Sequence, residues 1–418
     1  MVRVARVLPF RTNRYVVDEL IDWARVPDDP MFQLTFPQPE MLVPSDRASL
    51  ARAEETGDAA ALEATVRAIQ RRLNPHPAGQ VTHNVPTLNG RPLDGLQHKY
   101  RETVLFFPSQ GQTCHAYCSY CFRWPQFVGL DGLKFASSET DDLIAYLRAH
   151  PGVTSVLVTG GDPMIMRAPL LRRYIEPLLA ANLPSLASIR IGTKSVAYWP
   201  HRFVEDDDSD DVLRLFEEVV RRGKTLALMA HYSHPRELAT PLARRALARI
   251  LATGAVVRCQ APLIRHVNDD ARAWSELWRT EVQLGAVPYY MFIARDTGAR
   301  RYFEVPLAQA WEIYRDAVSS VSGLARTVRG PSMSATPGKV VVDGIAEIRG
   351  DKVFALRLLQ ARDPSWVGRP FFARFDPAAA WLDDLRPAFG EERWFFEDEE
   401  ADTPNRRGRL LPVIEGAA

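Results

Sequence analysis

Three cysteines, Cys114, Cys118 and Cys121, stand at intervals of four and three within the stretch Thr113 to Val128, TCHAYCSYCFRWPQFV. A loop that short can aim three thiolates at one point, which reads as a metal site. Iron–sulfur clusters are held by Cys thiolates, four of them for an ordinary cubane; three would leave one iron open to an outside ligand. Zinc, with His115 or a distant side chain as fourth ligand, and disulfide bonding are the other readings the residues leave open. Zinc sites usually show a second close pair of ligands, and disulfide scaffolds are short and cysteine-dense. Neither description suits a chain of 418 residues with four cysteines.

Such a loop needs elements to hold it. From Tyr100 short apolar runs alternate with amphipathic stretches. The expected strands are Val104 to Ser109, Val153 to Thr159, Ala187 to Gly192, Thr225 to His231, Ala255 to Pro262 and Pro288 to Ala294. Helical patterns fall at 139–150, 167–181, 210–222, 241–253, 270–284 and 306–318. Six βα units in a row predict a parallel barrel or partial barrel.

In a parallel barrel the chemistry sits where the strands end, because the loops there converge on one mouth. The first strand leads into the cysteines. The second ends in Thr159-Gly160-Gly161-Asp162-Pro163, the third in Arg190-Ile191-Gly192-Thr193, and the fourth in His231-Tyr232-Ser233-His234-Pro235. The fifth ends in Arg258-Cys259-Gln260 and the sixth in Arg295-Asp296. Polar groups at all six mouths predict one convergent site. Taken singly, Asp162 also suits a helix N-cap and His231 a satisfied core histidine.

The CxxxCxxC spacing followed by Phe122 resembles the radical S-adenosylmethionine (SAM) superfamily. With VLVTGGDP, IRIGTKS, AHYSHPREL, RCQAPLIRHVND and VPYYMF in order behind it, the chain resembles the lysine 2,3-aminomutase family of those enzymes over roughly half its length. The resemblance implies an α/β fold: a radical SAM partial (β/α)6 barrel with a helical N-terminal region and a small C-terminal α+β extension. It further implies a [4Fe-4S] cluster, SAM and pyridoxal 5′-phosphate (PLP), which together move an amino group between adjacent carbons of a free amino acid. Cys114, Cys118 and Cys121 would ligate three irons, and the open iron would chelate SAM, whose reductive cleavage yields the adenosyl radical. Gly160, Gly161 and Asp162 would hold the methionine amino group of SAM, with Thr193, His231 and Gln260 on its other polar edges. Arg123 would grip the substrate carboxylate, for which a planar fork of donors is well shaped. Lys99 and Tyr100 would lie against the cofactor ring and phosphate. An electron donor such as flavodoxin or ferredoxin is also implied.

PLP needs a lysine amine for a Schiff base. In the family that lysine follows a proline and a run of glycines; Ser334-Ala335-Thr336-Pro337-Gly338-Lys339 is a shortened version, so Lys339 is the candidate, with Ser332, Ser334 and Thr336 as candidate phosphate donors. Lysine-specific members bind the distal ammonium with two carboxylates. Asp296 matches the first, whereas Gly330-Pro331-Ser332 has no acid where the second belongs, leaving Asp343 as a substitute. Substrates other than lysine, neutral or acidic, fit as well. The departures also motivate an alternative, a PLP-independent radical SAM epimerase, dehydrogenase or modifier of peptide or protein lysines. No cysteine follows Cys259, so the family's zinc-binding cysteines are missing and any homo-oligomer must be held by other contacts.

The rest of the chain divides around that core. Residues 1–95 are expected to form an accessory region, with helix from Ser45 to Leu73 broken at Gly57, an irregular segment at 28–42 and a Pro- and Gly-rich connector from Asn74 to Gly95. Residues 96–320 form the core and 321–418 the extension, with two or three antiparallel strands after Lys339 and an aromatic-rich end suited to packing or subunit contact. A net charge of +1 with 25% charged residues offers no footprint for nucleic acid or an anionic membrane. No long apolar span is present, and the cysteine pattern predicts a reducing, cytoplasmic setting.

Overall fold

The computed structural model describes residues 1–76, 84–130, 135–138 and 140–397. Its centre is one sheet of eleven strands whose order in space is their order in sequence. They are β1 (Leu96–Tyr100), β2 (Thr103–Phe106), β3 (Ser155–Val158), β4 (Ser188–Thr193), β5 (Thr225–His231), β6 (Val256–Leu263), β7 (Val287–Ile293), β8 (Arg329–Ser334), β9 (Gly338–Ile348), β10 (Asp351–Ala361) and β11 (Pro370–Arg374). Strands β2 to β8 run parallel, while β1 and β9 to β11 are antiparallel additions at the two ends.

All six expected strands are present, and a seventh parallel strand, β8, joins them. Its sequence, RGPSMS, shows no apolar alternation, and Pro331 cannot donate to a ladder. The register against β7 shifts between Arg329 and Ser332, which lets the proline sit in an irregular step. Strand β1 was equally hidden, since LQHKY is mostly polar.

The parallel strands alternate as a pleat requires. Val156, Ile189, Ile191, Leu228, Val257 and Met291 are buried on the helix-covered face. Leu157, Arg190, Met229, Gln260, Tyr290 and Phe292 point to the other side, the inside of the curl. The outer helices follow the expected pattern closely: Thr140–Ala149, Ala168–Ala180, Ser209–Arg221, Pro241–Ala252, Ala271–Gln283 and Leu307–Ser319. The curl is drawn together where Lys99 of β1 donates to Ala335 O beyond β8, and where Arg362 after β10 donates to Asn84 Oδ1 at 2.9 Å.

The N-terminal region contains the helices Pro44–Glu55 and Ala59–Leu73, separated at Gly57 with its φ of 68°, a value that favours glycine. The segment expected to be irregular instead begins with the short helix Pro30–Thr35, capped by the buried Asp29 through the N–H groups of Met31 and Phe32. Beyond Lys339 the extension supplies three antiparallel strands, with a turn at Arg349–Gly350, both at positive φ. Its aromatic residues pack on one another, Phe371 against Trp394 with ring centres 5.4 Å apart. No helix among the described residues is long and apolar enough to cross a membrane.

Candidate active site

The cysteine loop leaves the end of β2 and is tied down by the N-terminal region. Tyr117 N–H donates to Arg11 O at 2.9 Å, Ser119 N–H to Leu34 O at 2.9 Å, and the Ser119 hydroxyl to Gln33 O at 2.8 Å. The Arg11 guanidinium reaches Thr113 Oγ1 at 2.8 Å and Cys114 O at 3.1 Å. Accessory residues therefore shape the loop that presents the thiols.

All three loop cysteines are free and partly buried. Burial is the main cause that pushes each thiol up, Cys121 to about 12; at Cys114 the neighbouring charges of Asp162, Cys121 and Cys118 push the same way. Three thiols that oppose one another's ionisation suit a polynuclear cation that holds them as thiolates. Three thiol donors on one short loop fit a cluster that takes each thiolate on a separate iron.

The Gly160–Gly161 turn at the end of β3 packs against the start of this loop. A Cβ on Gly161 would come within 2.5 Å of the backbone N and O of Thr113, so backbone meets backbone there. Asp162 follows, and its carboxylate accepts from Met164 N at 2.9 Å, Thr193 Oγ1 at 2.8 Å, Lys194 N at 2.8 Å, Ser195 N at 2.9 Å and Ser195 Oγ at 3.0 Å. A carboxylate offers about four lone-pair sites, so five donors saturate it. The Thr193 proton is spent on the same carboxylate. In the structure Asp162 is a cap and a brace between two strand ends, with Thr193 as its partner.

Next along the rim, Lys194 Nζ meets Glu237 Oε1 at 2.6 Å in a buried ion pair and also reaches His231 O at 3.2 Å. His231 is pushed down to about 3 by burial, then by the Lys194 charge, so it is neutral. Its Nε2 lies 2.9 Å from the Gln260 amide nitrogen and accepts from it. Lys194 and Glu237 had no assigned role in the sequence, although both stand inside strand-end motifs.

Inside the curl is a cavity of about 290 Å³ that brings together Lys99, Tyr100, Arg123, Gln260 and Lys339 from the expected set. Lys339 Nζ sits 4.0 Å from the centre of the Tyr290 ring and 5.4 Å from that of Phe292. Burial, then the charges of Arg329 and Arg190, bring its amine down to about 7. A buried amine half-deprotonated near neutrality, beside Ser334 and Thr336 and surrounded by cations, fits a phosphate-bearing aldehyde. Arg123 lies over the rings of Phe107 and Phe122, at 4.5 and 5.0 Å.

Other expected residues lie elsewhere. Asp296 does not line the cavity; it turns to His76 at 3.4 Å, beside Asp383, and its neighbour Arg295 faces inward instead. Asp343 is held by Arg357 on the β9–β10 pair at 2.9 and 3.0 Å, so it is no substitute acid. Ser332 is fully buried, its hydroxyl donating to Met291 O at 3.4 Å. The cavity's Arg190, Arg295 and Arg362 were not singled out beforehand. The first two stand in quoted strand ends; Arg362 comes from β10's exit, too far along the chain for a local motif to reveal.

No family model matches the chain. An Aquifex aeolicus protein, provisionally named an L-lysine 2,3-aminomutase, is 33% identical over 300 residues, which cover 72% of this chain and 76% of that protein. The chain belongs to the lysine 2,3-aminomutase family of radical SAM enzymes. Within that family, the L-lysine 2,3-aminomutase of Bacillus subtilis is 26% identical over 56% of this chain, a match spanning 46% of the Bacillus protein. The Clostridium subterminale enzyme of that name is 26% identical over 56% of this chain and 52% of its own length. Among solved structures, a radical SAM methyltransferase from Sphaerobacter thermophilus overlaps 58% of this chain and 69% of its own at 18% identity and a TM-score of 0.40, too low to bear on function.

Proposed function

We propose that this member of the lysine 2,3-aminomutase family is a PLP-dependent isomerase that moves the α-amino group of a free amino acid to the adjacent carbon. The observation that carries the reading is Lys339: a buried amine, brought down to about 7, on the wall of a cation-lined cavity that also contains Arg123 of the cysteine loop. When bound, the cluster and SAM supply a hydrogen-abstracting radical, and PLP supplies the ring across which nitrogen moves.

The chain's own groups bind and orient. Cys114, Cys118 and Cys121 would hold the cluster, and the Gly160–Gly161 turn, braced by Asp162, would meet the amino group of SAM. Gln260 and neutral His231 present amide and imidazole edges on the rim. Lys339 would be the attachment point for PLP, and Lys99, Ser334 and Thr336, which line the same cavity, would hold its phosphate. Arg123 would take the substrate carboxylate from the cavity wall. An external electron donor such as a flavodoxin or ferredoxin supplies the reducing equivalent.

The test is anaerobic reconstitution with iron, sulfide and PLP, followed by borohydride reduction and peptide mass mapping. A pyridoxyl group on Lys339 is the expected result. Iron without any pyridoxyl adduct overturns the reading in favour of radical chemistry that needs no PLP.

A further inference from the structure

The described residues lining the cavity include six cationic side chains, Lys99, Arg123, Arg190, Arg295, Lys339 and Arg362, and no carboxylate. They divide between two ends. Lys99 and Arg362 gather about Ala335 and Thr336, and Arg190 acts on Lys339, so these belong to the cofactor end. Arg123 and Arg295 form the other end, on either count over the same ring: their guanidinium carbons lie 5.0 and 5.3 Å from the centre of Phe122. One arginine is enough for an α-carboxylate, yet here are two planar forks within about 10 Å of each other, each shaped for a carboxylate. Arg295 has no carboxylate within ion-pair distance among the described residues, because Asp296 turns to His76. Its buried Nε has no hydrogen-bond partner. A guanidinium whose buried nitrogen lacks a partner is costly to fold around, and a bound anion offsets that cost.

We infer that Arg295 receives a second, side-chain carboxylate, so that the substrate is an α-amino dicarboxylic acid of four or five carbons rather than a diamino acid. The inference rests on the proposed function for the identity of the reaction, and on the cavity alone for the charge of the side chain. A side-chain ammonium would meet two arginines with no acid among the described lining residues to take it. A side-chain carboxylate finds an open fork. Trp381, 5.9 Å from the Arg295 guanidinium carbon, backs the fork from the extension.

The experiment uses the full chain reconstituted with iron, sulfide and PLP, first assayed for the borohydride-trapped adduct on Lys339 and then titrated calorimetrically with glutamate, aspartate, glutamine and lysine. Glutamate or aspartate is expected to bind at least tenfold more tightly than glutamine, with lysine weakest. Arg295→Gln is expected to weaken the dicarboxylate by about 30-fold, while glutamine changes by less than about threefold. Arg295→Lys, which keeps the charge but loses the fork, restores part of the difference. Lysine binding as tightly as glutamate overturns the inference, as does an Arg295→Gln protein of unchanged melting temperature that keeps its preference for dicarboxylates. If no adduct forms while dicarboxylates still bind through Arg295, the PLP reading fails and the charge of the substrate side chain stands.

Discussion

Lys339 is an ordinary lysine made reactive by its surroundings. Its amine is brought to about 7 chiefly by burial and secondarily by Arg329 and Arg190. Only the unprotonated amine attacks an aldehyde. The initial rate of PLP incorporation into the apo-protein is therefore expected to rise about tenfold per pH unit up to about 7 and to level off above about 8, followed by the absorbance of the bound cofactor. A rate still rising steeply at pH 9 would mean that the amine keeps the pKa of an exposed lysine. The cysteines, Arg123 and Lys339 are each set by local spacing, and the structure places Arg123 and Lys339 on one cavity and the three cysteines on one loop. Asp296 and Arg295 show the limit. Successive residues leaving a strand point to opposite sides, so a one-residue difference exchanges an acid for a base at the cavity wall. Spacing alone located the strand end and could not say which of the two faced in. The bracing role of Asp162 has no local signal beyond a possible cap, because its donors come from β4 and the loop after it.

The elements are arranged so that something outside the barrel fixes the loop inside it. Arg11 belongs to the N-terminal region and is tied to Thr113 and Cys114, about a hundred residues later. Its side chain is exposed enough that its removal leaves the barrel core untouched. Arg11→Ala is expected to leave the melting temperature of the apo-protein within about 2 °C of the parent. Retention of iron after gel filtration should fall severalfold, because the loop loses two of its ties. A large loss of apo-protein stability would instead make Arg11 a fold-wide support. Most of the barrel's elements were legible for a related reason: parallel strands covered by helices are short Val-, Ile- and Leu-rich runs, and the amphipathic helices between them are periodic. Strand β8 escaped because Pro331 and small polar residues hide it, yet it forms the wall from which the chain turns back to Lys339. The contact between the N-terminal region and the cysteine loop had no signal at all, since no periodicity relates residues so far apart.

At the scale of the whole molecule, a net charge of +1 hides a strong segregation, with cations turned into the cavity. Composition fixes how much charge the chain has, and only the fold decides where it goes. A second buried charge problem lies on the opposite face of the sheet, away from the cavity. Glu281 on the helix Ala271–Gln283 is 2% exposed and packs by Cys259 of β6. Burial, with a smaller push from the Glu237 charge and against the Cys259 hydrogen bond, raises its carboxyl well above the usual 4.5. The folded chain keeps a proton there that the unfolded chain releases, so the contribution of this group is present below about pH 4.5 and is lost as pH rises toward the folded value. Glutamine has no proton to release. Glu281→Gln is therefore expected to raise the urea midpoint of the apo-protein at pH 8 relative to the parent, with the difference shrinking at pH 5.5. Two midpoint curves at the two pH values suffice. An equal shift at both would assign the effect to packing, whereas a gap that widens with pH identifies the proton that folding retains behind the sheet.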